Sequence, residues 1–306
     1  MPVAEQESAG GLPDNVVGAL WMLAAGLLFT VMMAMMKQLT LELPVALIVF
    51  LRMFAALLFI LPALVWAGGG TWRLARTRFL RLQLARSLLG FLSLALFTFG
   101  LSRIILADAV AIQFTTPLWS VLLSVLVLGE VVRVRRWTAT VVGFVGVLMI
   151  AKPGVGMDPA MFAVVGSALC VSVVMLLLRR LGRTESPLTT IFYVQLVGSV
   201  LPLPFAVAVW QWPTVVQWWL VAAIGLTAAI GQYCFTRAFE RGEVSIVAPM
   251  DYVRLPVAAA LGFMLFAELP DVIAVSGMAL IVGSAWYIAT REARLRSEGD
   301  RDRGRA

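Results

Sequence analysis

The sequence predicts an all-α integral membrane protein with ten transmembrane helices, arranged as two inverted five-helix repeats. Three observations carry this. Of the 306 residues, 61% are hydrophobic and 13% charged, whereas a soluble domain carries roughly 25% charged residues. The apolar residues fall into ten runs near the length of a bilayer crossing, about 20 residues. A base–acid–proline spacing in the first half of the chain recurs in the second.

The runs lie near residues 15–36, 44–67, 84–102, 107–128, 137–151, 158–178, 187–210, 213–236, 244–266 and 270–290. Before the first stands "MPVAEQESAGGLPD", acidic and polar, without the basic region of a signal peptide. Residues 1–14 are expected to be a disordered cytoplasmic N-terminus and the first run a retained span. The third and fifth runs are short, so Arg86, Arg103, Arg136 and Lys152 are expected to snorkel to the interface.

Cytoplasmic loops collect Lys and Arg. With the N-terminus inside, the loops on that side and the tail hold nineteen of the twenty-four basic residues, and loops 7–8 and 9–10 hold none. Both termini are therefore expected in the cytoplasm, across the cell inner membrane, with 291–306 a basic cytoplasmic tail. Trp210, Trp212, Trp218 and Trp219 read as an outer aromatic belt.

Composition also excludes. The chain has no histidine, and its two cysteines, Cys170 and Cys234, lie in apolar runs. A zinc site, a histidine-based triad and a disulfide framework lack their raw material. No cofactor or metal is expected. A net charge of +7 does not point to nucleic acid, because the arginines sit in short clusters between spans. A lipid-modifying enzyme would need acids, histidines or metal ligands clustered at one face, and none is visible.

The repeat is read from "MKQLTLELPVALIVFLR" (36–52) and "RRLGRTESPLTTIFYVQ" (179–195). Lys37 aligns with Arg180, Glu42 with Glu185, Pro44 with Pro187 and Arg52 with Gln195. Glu130 and Glu268 close the fourth span of each half, and the two offsets are 143 and 138 residues. Five spans per half means the second half enters from the opposite side, giving repeats at 15–153 and 154–290. Inverted repeats occur in many secondary transporters, with the substrate at the midplane.

Two stretches carry a resemblance: "LADAVAIQFTTPLWSVLLSVLVLGEVVRVRRWTATVVGFVGVLMIAKPG" (106–154) and "GEVSIVAPMDYVRLPVAAALGFMLFAELPDVIAVSGMALIVGSAWYIA" (242–289). The sequence resembles the EamA family of the drug/metabolite transporter superfamily. The resemblance implies a secondary transporter moving a small organic metabolite by alternating access around a central cavity. Amino acids, riboflavin-like cofactors, S-adenosylmethionine-like compounds and drugs all stay open as substrates. A drug or metabolite exporter and a lipid translocator of the same architecture are the alternatives. The expected partners are the metabolite and the lipid bilayer, the protein being a monomer or a weak dimer. By the same resemblance spans 1, 3, 4, 6, 8 and 9 line the cavity, and spans 5 and 10 pack the halves together.

Polar residues inside a span usually face the bundle interior, which selects the site candidates. In the ninth run, "VAPMDYVRLPVA", Asp251, Tyr252 and Arg254 stand between Pro249 and Pro256, the expected helix breaks. At a rise of about 1.5 Å per residue, Asp251 lies about 10 Å in and Arg254 about 15 Å. Their spacing puts them on one face. They could pair with each other, or open to bind a carboxylate or phosphate at Arg254 and a proton at Asp251. Tyr252 could cover an aromatic ligand or simply pack.

In the fourth run, Gln113, Thr115 and Thr116 precede Pro117, which frees a carbonyl near Gln113. This is a substrate-facing step or a kink with hydroxyl back-bonding. Trp119 could stack on a planar substrate or pack toward lipid. Gln232, Tyr233, Ser167 and Ser172 are cavity candidates by resemblance, while Ser93 and Thr98 could merely satisfy backbone. Lys37, with Glu42 or Asp108, is a gate candidate or an interface anchor. Arg52 is a gate candidate for which snorkelling is the competing account, and Glu130 and Glu268 are structural or gate residues. Ala139, Gly143, Gly146, Ala279 and Gly283 are expected to mediate close helix approach.

Overall fold

The computed structural model describes residues 14–67, 77–128, 134–152, 158–181, 186–242, 247 and 250–303. Every regular element among them is helical: α1 (Asp14–Thr40), α2 (Val45–Ala67), α3 (Leu80–Leu101), α4 (Leu106–Gln113), α5 (Thr116–Leu128), α6 (Val134–Ala151), α7 (Pro159–Leu181), α8 (Pro187–Val200), α9 (Leu203–Ala208) and α10 (Val215–Arg241). A 3-10 turn (Asp251–Val253) leads into α11 (Arg254–Phe266), and α12 (Val272–Arg303) ends the chain. In lipid a backbone must satisfy its own polar groups, and a helix does so within one segment.

Among the described residues, seven helical segments are long and apolar enough to cross a membrane; Trp137–Ala151 and Val272–Tyr287 are shorter apolar helices. The protein is a multi-pass membrane protein. Among its described residues the ninth run holds a 3-10 turn and a 13-residue helix, so helix length alone does not carry the number ten. The fourth and seventh runs are each broken. The seventh breaks at Leu201–Pro202, where Pro202 and Pro204 remove two amide donors.

α1 packs along α10, α3 along α7, α2 along α8 and α6 along α12. Methyl-rich residues fill the centre, with Met32, Met36, Leu39, Leu47, Ile48, Leu101, Leu106 and Ile112 at 3% exposure or less. α10 begins with a capping box between Thr214 and Gln217. The Gln217 amide also donates to Glu42 in the turn after α1 (2.5 Å), tying that turn to α10.

The α6–α12 contact corrects the expected glycine pattern. A Cβ on Gly146 would stand 2.6 Å from the Gly277 carbonyl oxygen, and one on Gly277 equally close to the Gly146 oxygen. Gly143 meets Leu118 and Ser284, and Ala139 is buried. Ala279 is exposed, and nothing lies within 4 Å of a Cβ on Gly283. The buried face of α12 runs through Ala274, Gly277, Met278, Ile281 and Ser284. Residues 279 and 283 lie off that face.

The short-span cations do not all snorkel. Arg103 is exposed over the Phe99 ring, Lys152 pairs with Asp271, and Arg86 donates to the Thr190 carbonyl oxygen (3.1 Å). The side chain of Arg136, together with Pro249, Glu130 and Glu185, lies outside the described residues. Residues 1–13 do too, and Asp14 already opens α1. At the other end, α12 continues as helix through the arginine-rich residues to 303.

Candidate transport site

Arg254 opens α11 and its stem crosses α1 at Gly26. A Cβ there would stand 3.1 Å from Val253 Cγ1 and 3.2 Å from Arg254 Cγ, so a larger residue would push on both side chains. The Arg254 Nη1 atom donates to Asp251 Oδ2 (3.1 Å) and Oδ1 (3.4 Å). The guanidinium carbon sits 5.5 Å from the Phe29 centroid and 5.6 Å from that of Phe114. Such contacts stabilise a desolvated cation beyond its ion pair. Nη2 approaches Met33 Sδ (3.8 Å), while Nε is buried with no hydrogen-bond partner among the described residues. Side-chain exposure is 15% for Arg254 and 21% for Asp251, so the pair is shielded but not sealed.

Tyr252 is engaged by protein. Its ring meets Phe114 edge-on at 5.0 Å and stacks on Trp286 at 6.3 Å. Pro256 does not break its helix. It occupies the first turn of α11, where a missing N–H leaves no bond unmade. The irregular backbone lies upstream, at 251–253.

The corner at Phe114 follows from Pro117. Without an N–H, Pro117 leaves the Gln113 carbonyl without its helical donor. The Thr116 hydroxyl takes that role (2.8 Å), and Thr115 bonds the Ile112 carbonyl (2.6 Å). Both threonines are thus occupied by local backbone, the kink alternative. Gln113 instead accepts from Ser167 on α7 (3.2 Å), whose hydroxyl lies 2.9 Å from that of Ser93 on α3. The Ser172 and Ser120 hydroxyls form a second crossing bond (2.9 Å). Ser93 therefore joins helices, whereas Thr98 bonds the Leu94 carbonyl of its own helix (2.8 Å).

Trp119 packs edge-on against Phe144 (4.7 Å), and its buried Nε1 has no hydrogen-bond partner among the described residues. Tyr233 is 57% exposed and meets Trp21 edge-on. Gln232 beside it is exposed. Among the described residues neither meets Arg254, and the α10 residue that packs on Phe29 is Phe235. Cys170 and Cys234 are free thiols, and Cys234 is buried in the α1–α10 seam.

Arg52 does not follow the snorkelling account. It lies one turn from Ile48 and Ala56, 1% and 8% exposed, and its Nη2 reaches Met32 Sδ on α1 (3.9 Å). α2 thus aims it into the bundle.

At the end of the bundle away from residue 14, Lys37 forms an ion pair with Glu268 and donates to the Ile104 carbonyl (2.7 Å). The second Glu268 oxygen accepts the Leu106 N–H (3.0 Å). Lys37 is therefore held by Glu268, not by the expected Glu42 or Asp108. Glu42 is taken by Gln217, and Asp108 Oδ1 is buried with no hydrogen bond among the described residues. Lys152 and Asp271 pair nearby, and Asp271 also accepts the Ala274 N–H (2.8 Å) at the start of α12.

The EamA-like transporter family matches residues 16–152 and again residues 158–290. The chain belongs to the EamA-like transporter family. It is a membrane transporter, not an enzyme.

Among its relatives is an S-adenosylmethionine uptake transporter of Rickettsia bellii (strain RML369-C), 27% identical over 82% of this chain and 86% of that one. A pseudopaline exporter of Pseudomonas aeruginosa is 32% identical over 87% and 93%. A riboflavin transporter of Vibrio cholerae is 29% identical over 90% and 94%. One solved crystal structure, 22% identical, superposes with a TM-score of 0.63 over 92% of this chain and 98% of its own, and shares the fold. The relatives include an uptake protein and an exporter, so the fold does not dictate direction.

The sequence singled out Asp251 and Arg254 but missed Phe29, Met33 and Phe114. A phenylalanine in a greasy span carries no signal of its own. Only the packing of α11 against both α1 and α4 brings these rings to the guanidinium.

Proposed function

We propose that the protein is a secondary transporter of a small organic metabolite with a zwitterionic or anionic part. It works across the cell inner membrane by alternating access of two inverted five-helix halves, 15–153 and 154–290, with both termini cytoplasmic. The observation that carries this is the Asp251–Arg254 pair, held partly solvated between Phe29 and Phe114 inside the bundle. A charge in that position is costly and marks a substrate or ion path.

The packing supports the inverted halves. α1 against α10 joins the first and eighth runs, and α3 against α7 joins the third and sixth. A shift of five runs exchanges these two contacts and maps α2–α8 and α6–α12 onto themselves. The double family match supports the same division. Lys37–Glu268 serves as the closure of one end. The cationic part of an S-adenosylmethionine-like or amino-acid-like compound suits the Asp251 carboxylate, and riboflavin-like compounds suit the rings around the pair. The pseudopaline exporter among the relatives favours export as the second reading.

The test is uptake and efflux of labelled S-adenosylmethionine, amino acids and riboflavin in proteoliposomes holding folded, full-length protein. Saturable flux of at least one class is expected, and its loss in Arg254→Gln. No flux of any class would end the carrier reading.

A further inference from the structure

We propose that Arg52, and not Arg254, anchors a carboxylate of the transported molecule. This rests on the transporter reading above and gives its substrate class: a metabolite with a free carboxylate, as in an amino acid. Two arginines reach adjacent methionines of α1. Arg52 approaches Met32 Sδ at 3.9 Å and Arg254 approaches Met33 Sδ at 3.8 Å. Successive residues on a helix differ by about 1.5 Å along its axis, so the two guanidinium groups address α1 at nearly one depth.

Their charge environments differ. Arg254 has the Asp251 carboxylate at 3.1 Å and two aromatic faces. Arg52 has the Met32 thioether and, among the described residues, no carboxylate within ion-pair distance. A thioether is a weak acceptor, and a guanidinium carries five N–H donors. Snorkelling does not relieve the charge, because the flanking Ile48 and Ala56 are buried and the side chain turns inward to Met32, itself 3% exposed. Arg52 nevertheless keeps part of its surface accessible.

A cation in such a place needs a counter-charge. A planar carboxylate fits the guanidinium fork through two parallel bonds. At Arg254 a substrate carboxylate would compete with Asp251 for the same donors and meet its negative charge. At Arg52 it meets no acid.

The test uses binding, so that it does not depend on flux. Purified full-length protein is titrated by calorimetry and ligand-induced thermal stabilisation with S-adenosylmethionine, methionine and the decarboxylated counterpart of each. The wild type is expected to bind at least one carboxylated compound tenfold or more tightly than its counterpart. Arg52→Gln is expected to abolish that preference, weakening the carboxylated compound about tenfold and leaving the decarboxylated one unchanged. Arg52→Lys, which keeps the charge and loses the fork, falls between, and serves alone should Arg52→Gln not fold. Binding without preference in the wild type, no binding of any carboxylated compound, or a preference kept in Arg52→Gln each overturns the proposal. An Arg52-dependent preference in a protein that moves nothing across proteoliposomes would overturn the carrier reading and leave this one standing.

Discussion

Arg254 keeps its charge inside the bundle by three means: a carboxylate three residues back, two ring faces and a thioether. Removing one partner of a shielded pair leaves the other desolvated and uncompensated. Asp251→Asn is therefore expected to destabilise the detergent-purified protein by about 2 kcal/mol, less than for a fully sealed pair because this one is partly solvated. The double variant Asp251→Asn/Arg254→Gln should recover most of that loss, and chemical denaturation of the three proteins measures it. Equal stability of the single and double variants would mean the pair is not coupled. The pair itself was legible in "MDYVRLP", since spacing on one turn is a local property. The rings that hold it were not, because Phe29 and Arg254 meet only through the packing of α1.

At the scale of the element, two interruptions matter. Pro117 turns α4 into α5, and the hydroxyl of Thr116 makes good the lost backbone bond. Thr116→Val should cost about 1 kcal/mol. That cost should shrink in a Pro117→Ala background, where an amide at 117 again reaches the Gln113 carbonyl; an undiminished cost would refute this role for Thr116. The second element is the α6–α12 seam. Gly146→Ala pushes a methyl to 2.6 Å from a backbone oxygen and should force the helices apart, whereas Gly283→Ala meets nothing within 4 Å. Thermal unfolding should drop by several degrees for the first and hold for the second. The sequence marked both helices as small-residue seams, but spacing alone did not tell which stripe of α12 faces α6. Gly277, the residue that does, was missed.

For the whole molecule, the Lys37–Glu268 pair links the end of α1 to the segment after α11, and the same carboxylate holds the first turn of α4. Glu268→Gln keeps an acceptor for the Leu106 N–H and removes the charge. It should loosen that end of the bundle. A cysteine at Ala107, 2% exposed in this arrangement, should then react faster with a membrane-impermeant maleimide in protein whose native cysteines are replaced by serine. Unchanged labelling would show that the pair does not close the structure. The sequence named Lys37 as a gate candidate or interface anchor and offered Glu42 and Asp108 as its gate partners. The partner chosen lies 231 residues away.

The sequence by itself determined the membrane class, the helical content, the family resemblance and the position of the charged pair. Each of these follows from composition or from spacing within a few turns, where the helix period dictates geometry. The tertiary structure decided which side chains face one another. It assigned Thr115 and Thr116 to their own backbone, Glu268 to Lys37, Gly277 to Gly146, and left Arg52 turned inward with no acid among the described residues at ion-pair distance. Those outcomes depend on how helices cross. In a chain that is apolar almost all round, no sequence period distinguishes the face toward protein from the face toward lipid.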